Sequence, residues 1–570
     1  MKHSMILPGS LLLAILSVGT TFGQGTAVSN KELAKGWHLG DREKDGVYGI
    51  SLDKAYEFVK GKKSKTIVVA VIDSGIDTLH EDLKNILWRN PKEIPGNGID
   101  DDKNGYVDDI NGWNFLGGKD GKNVKQDSYE AARVYHRLKA KFAAPGFDPS
   151  ILTGEEADQY AMWAKAKDKV EGDAGGGGAD LVFMKKALEN TIKNDSILRQ
   201  AMGKEVFTGK DLEAYAPTTS EAQKAKAGLL YLFKANNMLD MSNKEFVDGF
   251  SEYVGGEERK QEAAQKAPKD YRGEIVGDNY YDFNDRYYGN NDVMANTPFH
   301  GTHVAGIIAA ERSNGKGMDG VADNVRIMAI RAVPDGDEHD KDIALAIRYA
   351  VDNGAKVVNM SFGKGFSPEK KWVDEAVKYA ESKGVLLVHA AGNDAQNVDS
   401  VDNFPNASLT TLKARASNWI TVGASSDPKA EPGFKSLTAS FSNYGRKEVD
   451  VFAPGTKIYS TIPGGNTYGN AQGTSMASPV VAGIAAFLLS YYPNLTPQEV
   501  KMAIEKSAVA PSEKVKKPGS DDELVDLTEL CQSGGFVNAY EAAKVADILS
   551  KKKVPVKQQP KSTLQKGKKG

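Results

Sequence analysis

Six short, mostly apolar and β-branched runs recur along the chain, bounded by Gly, Asn or Asp: Thr66–Ile72, Val325–Ile330, Lys356–Met360, Val385–Ala390, Trp419–Gly423 and Val449–Val451. Their apolar residues are continuous rather than alternating, which suits strands buried on both faces, as in a parallel sheet. Helical patterns such as Asp342–Asp352 and Pro368–Lys383 fall between them. Strand and helix in alternation predict an α/β fold, an open and mostly parallel sheet with helices on both faces. Functional groups in such sheets gather at the carboxyl ends of the strands.

One segment breaks the rhythm. From Gln126 to about residue 274 the chain is rich in Ala, Lys and Glu, lacks strand patterns, and carries apolar residues at helical spacing at Leu181, Met184, Leu188 and Ile192. This predicts an α-helical insertion of about a domain's length, with the Gly175–Gly178 run as a flexible joint. The 570 residues then divide into a leader (1–23), an N-terminal segment (24–44), a main α/β domain in two parts (45–125 and 275–548) separated by the insertion (126–274), and a tail (549–570).

The leader has Lys2 followed by an apolar stretch from Met5 to Phe22 and small residues up to Gly23. That is the pattern of a secretory signal peptide cleaved before Gln24, and it implies a secreted, periplasmic or extracellular protein. Pro8 and Gly9 interrupt the stretch, which weighs against a membrane anchor, and no later run is long enough to span a bilayer. A net charge of −3, with no basic stripe interleaved with aromatics in the body, gives no reason to expect a nucleic-acid partner. The tail, with eight Lys and no acid, reads as a solvated disordered end. Cys531 is the only cysteine, so no intramolecular disulfide is available, and it reads as a small buried hydrophobe.

Three motifs carry chemistry. Val69-Ala70-Val71-Ile72-Asp73-Ser74-Gly75 is an apolar strand that ends on a carboxylate; His300-Gly301-Thr302-His303 opens an Ala-rich helix; Gly473-Thr474-Ser475-Met476-Ala477-Ser478-Pro479 opens another small-residue helix, Val480–Leu489. Each alone has a plain reading, a cap or a packed residue. Together they supply a nucleophile, a base and the carboxylate that orients the base. A serine hydroxyl attacks only if a base removes its proton, imidazole does so near neutral pH, and a carboxylate fixes its tautomer. A helix N-terminus behind Ser475 also places N–H groups beside a developing oxyanion.

In this order, Asp73, His300 and Ser475 resemble the catalytic motifs of the subtilisin family of serine proteases. The resemblance extends over about 45–125 and 275–548. It implies a secreted endopeptidase acting on polypeptide substrates, with His300 rather than His303 as the base. It further implies that Ala390-Ala391-Gly392-Asn393 supplies an oxyanion donor, Asn393. Ser361, Phe362 and Gly363 would form the substrate strand and, with Ala391 and Gly392, line the pocket for the residue before the cleaved bond, helped by Asn403-Phe404-Pro405. Two departures stand out: 227 positions separate Asp73 from His300, and segment 24–44 is too short for the family's inhibitory propeptide.

Asp100-Asp101-Asp102-Lys103-Asn104-Gly105-Tyr106-Val107-Asp108-Asp109 offers oxygens at Asp100, Asp102, Asn104 and Asp108 around a Gly turn. That spacing resembles a calcium loop, although Asn111 stands where an EF-hand has Glu. The family resemblance suggests a second calcium site at Asp82 and Asn314. No organic cofactor is expected. His80-Glu81-Asp82-Leu83-Lys84 starts like a zinc helix but lacks the second His. The alternative to an active protease is a calcium-stabilised protein that holds peptide without cutting it.

Overall fold

The computed structural model describes residues 35–552, apart from 177, 237, 240, 296–297 and 430–434. The leader and most of the Lys-rich tail therefore lie outside the described residues. Seven parallel strands form one sheet: β1 (Ile67–Asp73), β2 (Gly112–Asn114), β3 (Val325–Arg331), β4 (Val357–Met360), β5 (Leu386–Ala390), β6 (Trp419–Ser425) and β7 (Val451–Pro454), in spatial order β2-β3-β1-β4-β5-β6-β7. The order turns back on itself at β1. Ligand crevices form at such a switch point, where neighbouring connections leave for opposite faces. The six expected strands are all present. The seventh, β2, holds only Gly-Trp-Asn, too short to register as an apolar run. Gly112 fits there because a β-carbon would lie 1.7 Å from the Ala329 carbonyl oxygen.

Both sheet faces are covered. One buried cluster joins β-strand residues Val69, Val71, Ile327 and Val388 to the helices carrying Val304 and Val480, and to Leu52 and Ala55 of α1 (Leu52–Val59). A second joins Ala70, Ile72 and Ile330 to Ile343 and Ile347 of α10 (Asp340–Asp352) and Val377 of α11 (Lys370–Ser382) on the opposite face. Trp37 is buried in the first cluster, so part of the N-terminal segment belongs to the catalytic body. Cys531 is buried, and its thiol pKa is pushed up to about 11 by desolvation.

The insertion comprises α2 (Glu130–Phe142), α3 (Glu155–Gly176), α4 (Gly178–Met202), α5 (Gly209–Ala214), α6 (Ser220–Ala235) and α7 (Asn243–Gln265). The glycine run lies where α3 gives way to α4. The buried stripe of α4 departs from the expected one after Leu188: Thr191, Asp195 and Leu198 face inward and Ile192 is exposed. Asp195 is tolerated inside because Asn243 and Arg199 both donate to it. The boundary expected at 274 falls inside α8 (Tyr271–Val276), which packs on the sheet body through buried Arg272, ion-paired with Asp278 and Asp342 at 2.5 and 2.7 Å. Likewise, the segment expected as tail from 549 begins as the last turn of a helix, Ala539–Lys552.

The insertion has an apolar cluster of its own, Leu198, Phe207, Leu229, Phe233, Phe246 and Phe250 among them. Phe233→Ala therefore costs about 3–5 kcal/mol locally. Hydrogen exchange should accelerate in α4, α6 and α7 and not in β1, β3 and β4; equal acceleration in the sheet would contradict an independent core.

Candidate active site

β1 delivers Asp73 as its last residue, at the carboxyl end of the sheet's switch strand. Its side chain is 3% exposed and accepts a hydrogen bond from Ser74 N–H at 2.7 Å. His300 sits in the first turn of α9 (Phe299–Ala309), 227 residues later. Its Nδ1 lies 2.8 and 3.0 Å from the two carboxylate oxygens of Asp73. Gly301 makes this approach possible, since a β-carbon there would sit 2.2 Å from Gly75 O. Burial on its own would lower the imidazole pKa. The Asp73 charge and its hydrogen bond, with a further push from Glu252 on α7, outweigh burial and leave it raised. His303, one turn on, is fully buried with its pKa driven down to about 3 by desolvation, and its Nε2 lies 3.2 Å from Gly469 O. It is a packed residue, as its place in the motif suggested.

Ser475 is the second residue of α12 (Thr474–Tyr491), which follows Gly473 at φ 149°. The small residues let this apolar helix pack closely: a β-carbon at Gly483 would lie 2.6 Å from Val321 Cβ. Contrary to the sequence reading that no later run is long enough to span a bilayer, α12 is long and apolar enough by length and composition, but it is 89% buried inside the fold. Pro479 has no N–H for the carbonyl of Ser475, four residues earlier. That carbonyl accepts instead from the Ser361 hydroxyl at 2.9 Å, while the Ser475 hydroxyl donates to Ser361 O at 3.1 Å. Asn359 Nδ2 holds Ser361 Oγ at 2.9 Å, and Ser478 Oγ donates to Asn359 Oδ1 at 2.8 Å. Asn359 and Ser478 were not singled out from the sequence; the Asn two residues before Ser361, at the end of β4, is the signal that could have found them.

Asn393 follows β5. Its Oδ1 accepts from Thr474 N–H and Thr474 Oγ at 2.8 and 3.0 Å, which orients the amide and leaves Nδ2 as the available donor beside Ser475. Gly392 N–H donates to Thr474 Oγ at 3.0 Å, and its φ of 101° and a β-carbon distance of 2.3 Å to Asn443 Nδ2 require glycine. Ala391 is fully buried, its carbonyl held by Asn403 and Asn443 at 2.9 Å each, so it backs the cleft without presenting surface to it. Phe362 is partly buried, its carbonyl accepting from His389 Nε2 at 2.7 Å. Asn403 also closes on Gly363, where a β-carbon would meet its Oδ1 at 2.6 Å.

The acidic loop gathers a different set of oxygens from the one its spacing suggested. One ligand oxygen from each of Glu93, Asp100 and Asp102 lies within 4.8 Å of the others. Asp108 turns away, accepting from Gly96 and Gly98 N–H at 2.8 Å each, and Asn104 Oδ1 accepts from Tyr106 N–H. Glu93 Oε1 accepts from Asp101 and Asp102 N–H, and its buried Oε2 has no hydrogen-bond partner among the described residues. An orphaned buried carboxylate oxygen facing two aspartates fits a hard cation. Asp82 and Asn314 do come together, Asn314 Nδ2 donating to Asp82 at 2.5 Å.

These motifs agree with comparison to known proteins. The subtilase family model matches residues 64–528, so the chain belongs to the subtilase family. A thermophilic serine proteinase of Bacillus sp. (strain AK1) is 45% identical over 230 residues, 40% of this chain and 50% of that protein. The cell wall-associated protease of Bacillus subtilis (strain 168) is 38% identical over 280 residues, 47% of this chain and 29% of that protein. Thermitase of Thermoactinomyces vulgaris is 36% identical over 276 residues, covering 48% of this chain and 83% of thermitase. The chain thus spans half or less of the first two relatives.

Gly301→Ala should force His300 away from Asp73. The strongly downfield imidazole Nδ1–H proton resonance then disappears from the NMR spectrum; its persistence would show that the close approach does not need glycine.

Proposed function

We propose that the chain is an exported serine endopeptidase that cleaves polypeptides through an acyl-enzyme on Ser475. The observation that carries this is the Asp73–His300 contact at 2.8 Å, set at the carboxyl end of β1 and facing the helix that bears Ser475. His300 Nδ1–H is fixed by Asp73, so Nε2 is the basic nitrogen. The Ser475 hydroxyl turns from the Ser361 carbonyl to Nε2, gives up its proton there, and adds to the substrate carbonyl. The developing oxyanion receives the Asn393 amide and the N–H groups at the start of α12. His300 then protonates the leaving amine, and water attacks the acyl-enzyme by the same route. Ser361–Gly363, which continue β4, form the segment along which a peptide would lie. Export is supported by the leader pattern and by a cell wall-associated relative.

The second reading, a protein that holds peptide without cutting it, draws on one observation: the Ser475 hydroxyl points at a backbone carbonyl rather than at imidazole. Hydrolysis of casein separates the two. Casein should be cleaved and Ser475 labelled by a fluorophosphonate, with both lost in Ser475→Ala; a labelled variant or intact casein would overturn the assignment.

A base must be neutral to accept a proton. Because the pKa of His300 is raised, kcat/KM should fall on acidification from a midpoint above the ordinary value of about 6.5. Asp73→Asn removes the main raising influence, so its residual activity should titrate at lower pH.

We further propose that Glu93, Asp100 and Asp102 hold a structural calcium ion, and that Asp82 and Asn314 offer a second, weaker site. The ion neutralises mutual repulsion in the acidic loop and supplies no reacting atom. A chelator should lower Tm in the wild type and have less effect on Glu93→Gln; an unchanged wild-type Tm would contradict the site.

A further inference from the structure

Helix α7 of the insertion is anchored on elements next to both Asp73 and His300. One stripe of α7, Glu245, Gly249, Glu252, Gly256 and Arg259, follows helical spacing along a single face. Its first end rests on the hairpin that follows β7: a β-carbon at Gly469 would lie 3.1 Å from Glu245 Oε1. Gly469 is the residue whose carbonyl meets His303, one turn beyond His300. Its other end is an ion pair, Arg259 to Asp335 at 3.0 Å. Asp335 lies just past β3, where Ala332 and Val333 donate to the backbone carbonyl of Asp73. The stripe therefore spans about 21 Å, at about 1.5 Å per residue, between anchors on either side of the Asp73–His300 pair.

Between the anchors the helix packs on Tyr129 at Gly256, where a β-carbon would lie 2.6 Å from the phenol oxygen, and is open further toward its start. A β-carbon at Gly249 would meet no atom within 4 Å, and the Glu252 side chain is exposed. Glu252 makes no ion pair or hydrogen bond among the described residues, although its acidic neighbours Asp248 and Asp335 and its cationic neighbours Lys125 and Arg259 all act on it. Arg259 is committed to Asp335. Three carboxylates against two cations leave the roof that α7 forms here negative, with one unpaired carboxylate, Glu252, whose charge acts on the His300 imidazole.

We propose that Glu252 is a specificity-determining residue contributed by the insertion, selecting polypeptides with a Lys or Arg side chain close to the cleaved bond. This rests on the endopeptidase reading. The direction of the electrostatics agrees: the Glu252 charge helps Asp73 to hold the proton on His300, and Asp335 and Asp248 repel the Glu252 charge itself. A cationic side chain passing under α7 relieves both effects by pairing with a carboxylate that has no partner. The roof, held at both ends, also favours extended chain over folded protein.

The test is a fluorogenic peptide library varied by Lys, Arg, Gln and Glu at positions around the cut, used with wild type, Glu252→Gln and Glu252→Lys. Fluorophosphonate labelling of Ser475 verifies an intact site in each variant. The wild type should favour basic over acidic peptides by about tenfold or more, with the preference weakening as salt rises. Glu252→Gln should cut that ratio several-fold, and Glu252→Lys should invert it. Hydrolysis with the same ratio in all three proteins would overturn this inference alone. Absence of hydrolysis of every peptide by the labelled wild type would overturn the endopeptidase reading and this inference with it.

Discussion

Pro479 withholds one hydrogen bond from its own helix, and the active site is built on what takes that bond's place. The Ser475 carbonyl, left without an N–H four residues on, accepts the Ser361 hydroxyl, and Ser361 O in turn accepts the Ser475 hydroxyl. This reciprocal pair joins the N-terminus of α12 to the end of β4. Asn359 and Ser478 brace it from below with two further buried hydrogen bonds. A buried polar network of this kind rigidifies its surroundings when each member is satisfied. Here it fixes Ser475 relative to Ser361 and the end of β4.

Around that joint, charge is arranged by burial rather than by number. His300 and His303 stand one turn apart on the same helix with opposite outcomes. His303 has only a backbone carbonyl and an apolar setting, so its cationic form is driven out; His300 has Asp73, and its proton is held. The difference between the two imidazoles is thus a carboxylate placed 2.8 Å from His300 by a strand that begins more than 200 residues earlier. The insertion adds a second influence, the charge of Glu252, on the same imidazole.

The insertion also shows where pattern reading succeeds and where it stops. Its helical character was legible because Ala, Lys and Glu dominate and apolar residues recur at helical spacing. Its inward face was legible only in part. The stripe through Leu181, Met184 and Leu188 continues through Thr191 and Asp195 rather than Ile192. Periodicity cannot foresee a buried carboxylate that Asn243, distant in sequence, satisfies. The acidic loop teaches the same lesson. Spacing pointed to Asp108, whose oxygens are taken by two glycine N–H groups, and missed Glu93, which the fold brings in from outside the loop.

The sequence by itself determined the parallel sheet, the six longer strands, the helical nature of the insertion, and the three motifs that end on Asp73, His300 and Ser475. These are local properties: strand patterns, helix starts and residue types read within a few positions. Tertiary structure alone decided what lies across long gaps in the chain. It set Asp73 against His300, closed the Ser361–Ser475 pair, added Glu93 to the acidic loop, and paired Arg259 of α7 with Asp335 beyond β3. Hydrogen bonds and Coulomb interactions act over a few ångströms of space, whatever the separation along the chain, so no local pattern records them.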